Sequence, residues 1–219
     1  MITITNLSKS FQLSRQQKKE MGNAQHGDTV HAVKNISLTC QPGRVFTLLG
    51  PNGAGKTTTL RMIATILKPT SGSIVVNGYD TVANGKEVRQ NLGFLTGSTG
   101  LYDRLTPDET INYFGRLNGM DETTLQRRKK ELFDLLGIHE FAHRRVGKFS
   151  TGMKQKVSIA RTMIHDPQVV VFDEPTSGLD VIAAKSIIEL IRQCKRDNKT
   201  VILSTHIMSE VNMLADDLA

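Results

Sequence analysis

Apolar and polar positions alternate at the start of the chain, where Ile2, Ile4 and then Leu7 mark a strand with one buried face. A second strand is expected from Ile36 to Cys40. Between them, residues 12–31 (QLSRQQKKEMGNAQHGDTVH) show almost no apolar periodicity, which predicts a loop or excursion joining neighbouring strands. The pattern then changes to short unbroken apolar runs: Val45–Leu49, Ile74–Val76, Val169–Phe172 and Val201–Leu203. Such runs suit strands buried on both faces. Helical spacing follows several of them. Leu60, Ile63, Ile66 and Leu67 share one face after the first run, and Ala184, Ile187, Ile188, Ile191 and Cys194 share one after the third. Ile207, Val211, Leu214 and Leu218 follow the fourth. Strand alternating with helix predicts a parallel sheet covered on both sides.

The middle of the chain has a different pattern. Thr106-Pro107-Asp108-Glu109 has capping-box spacing with Pro at the first helical position. The helix it opens carries Ile111, Phe114 and Leu117 and stops at Gly119. A second runs from about Asp121 to Leu136 and ends at Gly137. A third starts near Ser150, presents Met153, Val157, Ala160 and Ile164, and ends before Asp166-Pro167. Three helices with no strand between them predict a helical insert in an α/β core.

Composition narrows the classes. The 219 residues suffice for one core plus a subdomain. Trp is absent and aromatics are 5%, which leaves little for an aromatic platform that stacks nucleic-acid bases. Net charge is +7, but the basic residues are interleaved with acids, and the densest run, Arg127 to Lys130, is followed at once by Glu131. A solvated helix face is the expected reading, and no nucleic-acid partner is expected. Cys40 and Cys194 have no metal or redox spacing and are expected to be reduced and structural. No stretch approaches a membrane span, and MITITNLSKSF lacks a secretory pattern, so a cytoplasmic protein is expected.

The strongest chemical signal is Gly50-Pro51-Asn52-Gly53-Ala54-Gly55-Lys56-Thr57, which fits G-x-x-x-x-G-K-[ST] between a predicted strand and a predicted helix. Glycines let the backbone curl so that successive N–H groups face one concavity matching phosphate oxygens. The helix start adds its positive dipole end. Lys56 is expected to reach the β- and γ-phosphates, the Thr57 hydroxyl to ligate Mg²⁺, and Thr58 to add a phosphate donor.

The strand Val169–Phe172 delivers Asp173 and Glu174 at its carboxyl end, the edge at which open α/β sheets bind ligands. Asp173 is expected to hold Mg²⁺ through water, and Glu174 to orient and activate the attacking water. His206, in Ser204-Thr205-His206, reaches the same edge and is expected to contact the γ-phosphate and hold Glu174 and the water. Phosphoryl transfer needs positioning and charge stabilisation of this kind.

Phe149-Ser150-Thr151-Gly152-Met153-Lys154-Gln155 opens a predicted helix and resembles the Leu-Ser-Gly-Gly-Gln signature of the ATP-binding cassette ATPases. The motifs follow the family's order over nearly the whole chain. The resemblance implies that Ser150, Thr151, Gly152 and Met153, with the helix N-terminus, contact the γ-phosphate of ATP bound to an opposite copy. Ser177-Gly178-Leu179-Asp180 resembles the family's D-loop, so Asp180 is expected at the seam of a head-to-tail dimer that sandwiches two ATP molecules. Phe11 matches the aromatic that stacks on adenine; a strand-end core residue is the alternative. GFLTGSTGLYDRLT and STGMKQK resemble the sodium-export branch of the bacterial cassettes, whose subunits pair with separate membrane proteins.

The resemblance implies a RecA-like α/β phosphate-loop core (1–97 and 161–219) with N-terminal antiparallel strands, and an all-helical insert (98–160) carrying the signature. It implies ATP and Mg²⁺ as ligands, an integral membrane permease as partner, and a place on the cytoplasmic face of the membrane. Two departures stand out. Gly97 occupies the position where the family usually has a Gln that ligates Mg²⁺ and links to the membrane partner, with Thr96 or Ser98 as possible substitutes. The chain also ends at Leu218-Ala219, directly after the helix following His206, where the family usually continues into another strand; this implies a chain cut short. Two rivals are a soluble cassette acting on ribosomes or nucleic acid and a non-hydrolysing ATP-binding module.

Overall fold

A computed structural model describes residues 1–13, 29–96 and 100–219. Most of the 12–31 stretch, together with Gly97 and Ser98, therefore lies outside the described residues.

Strands β1 (Ile2–Gln12), β2 (Thr29–Cys40), β4 (Ser71–Val76) and β5 (Tyr79–Asp80) form an antiparallel sheet in the order β2-β1-β4-β5. Ile2 and Ile4 are buried while Thr3 and Thr5 are not, which is the alternation a one-sided strand requires. The second strand begins at Thr29, seven residues earlier than its apolar pattern indicates, because ladder bonds to β1 continue through Lys9↔Val33 and Gln12↔Thr29. Ile74–Val76 is not a strand buried on both faces. It pairs with β1 as Ile4↔Ile74 and Ile2↔Val76, burying only those two side chains of the three. Asn77 (φ 50°) and Gly78 (φ 88°) supply the left-handed pair that closes the tight turn into β5.

The second sheet is parallel throughout, in the order β6-β7-β8-β3-β9, with β3 Val45–Leu49, β6 Leu92–Thr96, β7 Val169–Asp173, β8 Thr200–Thr205 and β9 Asp217–Leu218. Every residue of β7 and β8 is buried. Val170, Phe172, Val201 and Leu203 face a core built with the helices of the middle segment and with α6 (Val181–Arg196). Val169, Val171, Ile202 and Phe46 face α1 (Lys56–Ile63) and the antiparallel sheet. Burial on both sides is what unbroken apolar runs need.

Two helical assignments change. Ile66 lies beyond α1, which is broken by Thr65 at φ 62°, and its side chain is exposed. Leu218 is not on the last helix: α7 (Met208–Leu214) ends at Ala215 in extended geometry, and Leu218 enters β9 opposite Thr47. The cause is local electrostatics. Arg44 holds both carboxylate oxygens of Asp217 at 2.7 and 2.8 Å, and Asp216 accepts the Val45 N–H at 2.9 Å. These charge-assisted bonds draw the segment onto β3 as a further strand, which the family pattern places after this helix. Sequence periodicity also passes over α2 (Gly85–Asn91), a two-turn helix before β6.

Between β6 and β7 the described residues form helices and short turns only. Helix α3 (Pro107–Leu117) starts with a complete Thr106–Glu109 capping box, α4 (Glu122–Leu136) is capped by Asp121 and ends at left-handed Gly137, and α5 (Thr151–Met163) is capped by Ser150. Leu117 is exposed, so the buried stripe of α3 rests on Ile111 and, in part, Phe114. The basic run on α4 is paired with acids: Arg127 and Arg128 with Glu131, Lys129 with Asp108, and Lys130 with Asp134, all at 2.7–2.8 Å.

Cys40 and Cys194 are both free and buried, and burial pushes each thiol up to about 12. At pH 8 only about one thiol in 10⁴ would then be the reactive thiolate. Iodoacetamide is expected to label neither cysteine in the folded protein and both after denaturation. Labelling of either at the rate of a free thiol contradicts this packing.

Candidate functional site

The loop of residues 50–55 joins β3 to α1 at the carboxyl edge of the parallel sheet. Its shape depends on Gly55. That residue sits at φ 90°, and a Cβ there would lie 2.4 Å from the Ala32 carbonyl oxygen of β2. Any side chain would force loop and strand apart. Gly53 is also left-handed, at φ 86°, but with open space around it. No side chain caps the first turn of α1, so its N–H groups remain available to an anion. A recess of about 140 Å³ lies over this turn, lined by Asn52, Gly53, Gly55, Lys56, Thr57, Thr58 and Glu174 among others.

Lys56 folds back over the loop, donating to the carbonyls of Gly50 at 2.6 Å and Pro51 at 3.0 Å. Its ammonium lies 3.8 Å from Glu174 Oε1, and the side chain is only 9% exposed. One residue on, Thr57 Oγ1 donates to Asp173 Oδ1 at 3.1 Å. The same carboxylate oxygen accepts from Ser204 Oγ at 2.7 Å, a partner fixed by the register Asp173↔Ser204 between β7 and β8.

Glu174 leaves the strand at φ 49°, a left-handed conformation unusual for a long side chain and costing on the order of 1–3 kcal/mol. Its N–H is shared between the Ser204 carbonyl and hydroxyl, both at 3.1 Å. This turn brings the two adjacent acids into one place although neighbouring strand residues point oppositely. Asp173 meets Thr57, while Glu174 meets Lys56 and, at 3.3 Å, Nδ1 of half-exposed His206.

A hydroxyl beside a carboxylate is a hard-oxygen donor pair that suits Mg²⁺, an ion that takes few protein ligands and completes its shell with water and phosphate. Among the described residues no group of three or more His, Cys, Asp or Glu could hold a metal ion. Thr57 and Asp173 therefore fit a metal shared with a phosphate ligand, and they do not fit an all-protein cage.

The residues of the α5 start form a second group. Ser150 Oγ accepts the Met153 N–H at 3.3 Å, and Asp180 caps α6 by accepting from Ala183 N at 2.8 Å. Gly152 lies against this turn: a Cβ there would be 3.4 Å from Ala183 Cβ and 3.8 Å from Asp180 Oδ2. Met153 packs partly into the core. A larger recess of about 420 Å³ joins the two groups, with Thr57, Asp173 and Glu174 on one side and Thr151 and Gln155 on the other. Thr96 also lines it, next to the undescribed Gly97. Phe11 stands apart on β1, opposite Val30, with the Lys9 ammonium 5.0 Å from its ring centroid.

The family model described as ABC transporter matches residues 33–177, a span running from the strand beneath the phosphate loop to Ser177. The chain belongs to the ABC transporter family. This cassette is 48% identical over its full length to the ABC transporter ATP-binding protein NatA of Bacillus subtilis, covering 84% of that protein. Over 186 residues it is 37% identical to the bacitracin transport ATP-binding protein BcrA of Bacillus licheniformis, covering 84% of the cassette and 60% of BcrA. Among solved structures, an ATP-binding subunit of an ABC transporter superposes on the whole cassette with a TM-score of 0.85 at 26% identity, over 84% of its own chain. A dimeric ATP-binding cassette bound to ADP and Pi superposes at 0.83 and 24% identity, over 96% of that chain, and shows the same fold. The cassette is thus an ATP-binding subunit of the kind whose hydrolysis drives transport.

Sequence spacing does not reveal three residues at or beside this site. Ser204 and Glu210 depend on strand register and on the turn into α7, and Arg61, which lines the larger recess, depends on helix placement; Gln155, at the end of the signature-like stretch, donates its amide to the Pro175 carbonyl at 2.7 Å. None of the three has a motif of its own at fixed spacing from the loop.

The two loop glycines separate strain from collision. Gly53→Ala is expected to cost about 1–2 kcal/mol, the backbone penalty alone. Gly55→Ala adds a collision with a strand carbonyl and is expected to cost several kcal/mol more and abolish ATP binding. Thermal denaturation with ATP titration measures both; equal effects of the two substitutions contradict the close approach.

Proposed function

We propose that the cassette hydrolyses ATP as the motor of an exporter, working as a pair of identical copies beneath a separate membrane permease. The observation that carries this reading is the meeting of Lys56 and Thr57 with Glu174 and Asp173 at one sheet edge. In this reading Lys56 exchanges the carbonyls of Gly50 and Pro51 for the β- and γ-phosphates, and the N–H groups from Gly53 to Thr58 cradle the phosphate oxygens. Thr57 and Asp173 would hold Mg²⁺, which would supply neutralisation of the phosphate charge. Glu174 orients and deprotonates the attacking water, and His206 steadies Glu174 and faces the γ-phosphate. Electrostatic stabilisation by these fixed groups carries most of the rate.

A second copy completes the site. Ser150, Thr151, Gly152 and Met153, with the start of α5, are assigned to ATP held by the other copy, and Asp180 to the seam. Val181 and Ile182 support this reading: they follow Asp180, are 84% and 79% exposed, and leave an apolar step beside the α5 start. The transport path is assigned to a separate permease on the likeness to the sodium-export branch; no described helix is long and apolar enough to cross a membrane. Sodium export rests on the likeness of GFLTGSTGLYDRLT and STGMKQK to that branch. Phe11 is assigned to the adenine, with Lys9 yielding its place over the ring. The segment 98–160 acts in this scheme as a helical subdomain carrying the α5 start, against a core of 1–97 and 161–219.

Glu174→Gln is expected to cut hydrolysis by about 10²–10⁴-fold, the scale of a positioned base, while keeping ATP binding and favouring an ATP-dependent dimer. Turnover at the wild-type rate would refute the base assignment. Tagged protein recovered from cells of its own source is expected to bring down a multi-span membrane protein. Recovery of ribosomes or RNA in its place would end the transporter reading.

A further inference from the structure

We infer that Glu210 is a positioning residue for hydrolysis, its carboxylate tying the turn after Glu174 to the strand end before His206. Glu210 lies in the first turn of α7 and is 5% exposed. Its Oε1 accepts from the Thr176 hydroxyl, and its Oε2 accepts from the Thr205 hydroxyl at 2.7 Å. Both threonines are buried. Thr176 is two residues after Glu174, and Thr205 immediately precedes His206, so one rigid group spans both arms of the proposed water-activating pair.

A buried carboxylate without a cation costs several kcal/mol unless hydrogen bonds compensate it. Among the described residues both partners of Glu210 are hydroxyls, and an aliphatic residue would fill the same space at lower cost. What a carboxylate adds is two acceptors at a fixed separation. That separation matters because Glu174 sits in a strained conformation, with φ 49°, and the turn beyond it must hold it there. The turn is held from three sides. Ser204 bonds the Glu174 N–H, Gln155 bonds the Pro175 carbonyl at 2.7 Å, and Glu210 bonds Thr176. On the other arm, Thr205 Oγ1 also accepts the Ile207 N–H at 3.0 Å, which fixes the backbone on both sides of His206. His206 Nδ1 lies 3.3 Å from Glu174 Oε1, between the two arms that this bridge joins.

Glu210 touches neither the reacting water nor the phosphates, so it acts through Glu174 and His206 and rests on the roles proposed for them. A simple stabiliser of α7 would lower the folded fraction and change ATP affinity and turnover together. A positioning residue lowers kcat while affinity persists, and its effect shrinks once a group it positions is gone.

The test is a mutant cycle on ATP turnover and ATP affinity of the full chain. Glu210→Ala is expected to lower kcat by about 10–100-fold, the cost of a misplaced catalytic group, with the Kd for ATP within about threefold of wild type. Glu210→Gln keeps the shape but turns one of the two acceptors into a donor, and is expected to recover only part of that loss. In a Glu174→Gln background, where only the His206 arm remains to be positioned, Glu210→Ala is expected to lower the residual rate by a clearly smaller factor than in the wild type. Undiminished kcat in Glu210→Ala, or the same fold-loss in both backgrounds, overturns the inference. Thr176→Val, which removes one arm at constant volume, covers the case in which Glu210→Ala does not fold: it is expected to lower kcat at unchanged ATP affinity, and full turnover overturns the inference. Wild-type turnover by Glu174→Gln alone would instead refute the base assignment, a different failure.

Discussion

A nearly buried ammonium, that of Lys56, is held by two loop carbonyls and a carboxylate at the carboxyl edge of a parallel sheet, and the rest of the molecule is arranged around it. A cation removed from water is costly unless dipoles or anions replace its hydration. Carbonyl oxygens and Glu174 do so here, and a triphosphate would do so more strongly. The loop can curl that tightly only because Gly55 carries no Cβ against the Ala32 carbonyl. The antiparallel sheet, which supplies Ala32 through β2, is therefore part of the phosphate site and not an appendage to it.

Strand register explains the remaining geometry. β7 lies between β6 and β8, both faces buried, so its end cannot shift without disturbing two apolar cores. Register Asp173↔Ser204 fixes the carboxylate that meets Thr57, and the left-handed turn at Glu174 swings the second acid back toward Lys56 and His206. Rigid strands thus set the positions of the charges. The α5 start meets the same turn through Gln155 and Pro175, so movement of the helical segment would be felt directly at Glu174.

Much of this was legible along the chain. The phosphate loop, the paired acids and His206 all follow strands whose apolar runs are visible, and the caps at Thr106, Asp121 and Ser150 stand where their side chains predict helix starts. What spacing could not convey was partnership. Ile74–Val76 reads like a strand of the central sheet, but it is three residues long, too short to distinguish burial on one face from burial on two. Leu218 continued a helical spacing until Arg44, distant in sequence, drew Asp217 onto β3. Ser204 and Glu210 belong to the same class: each is an ordinary polar residue until strand register, for the one, and the start of α7, for the other, bring them to the turn at Glu174.

Calorimetric titration of Mg-ATP into the chain and into Lys56→Ala tests the central claim most directly. The account predicts that losing this ammonium weakens binding by at least about tenfold, the scale of a charge-assisted contact worth about 1.5–3 kcal/mol. Equal affinity of the two proteins would contradict it.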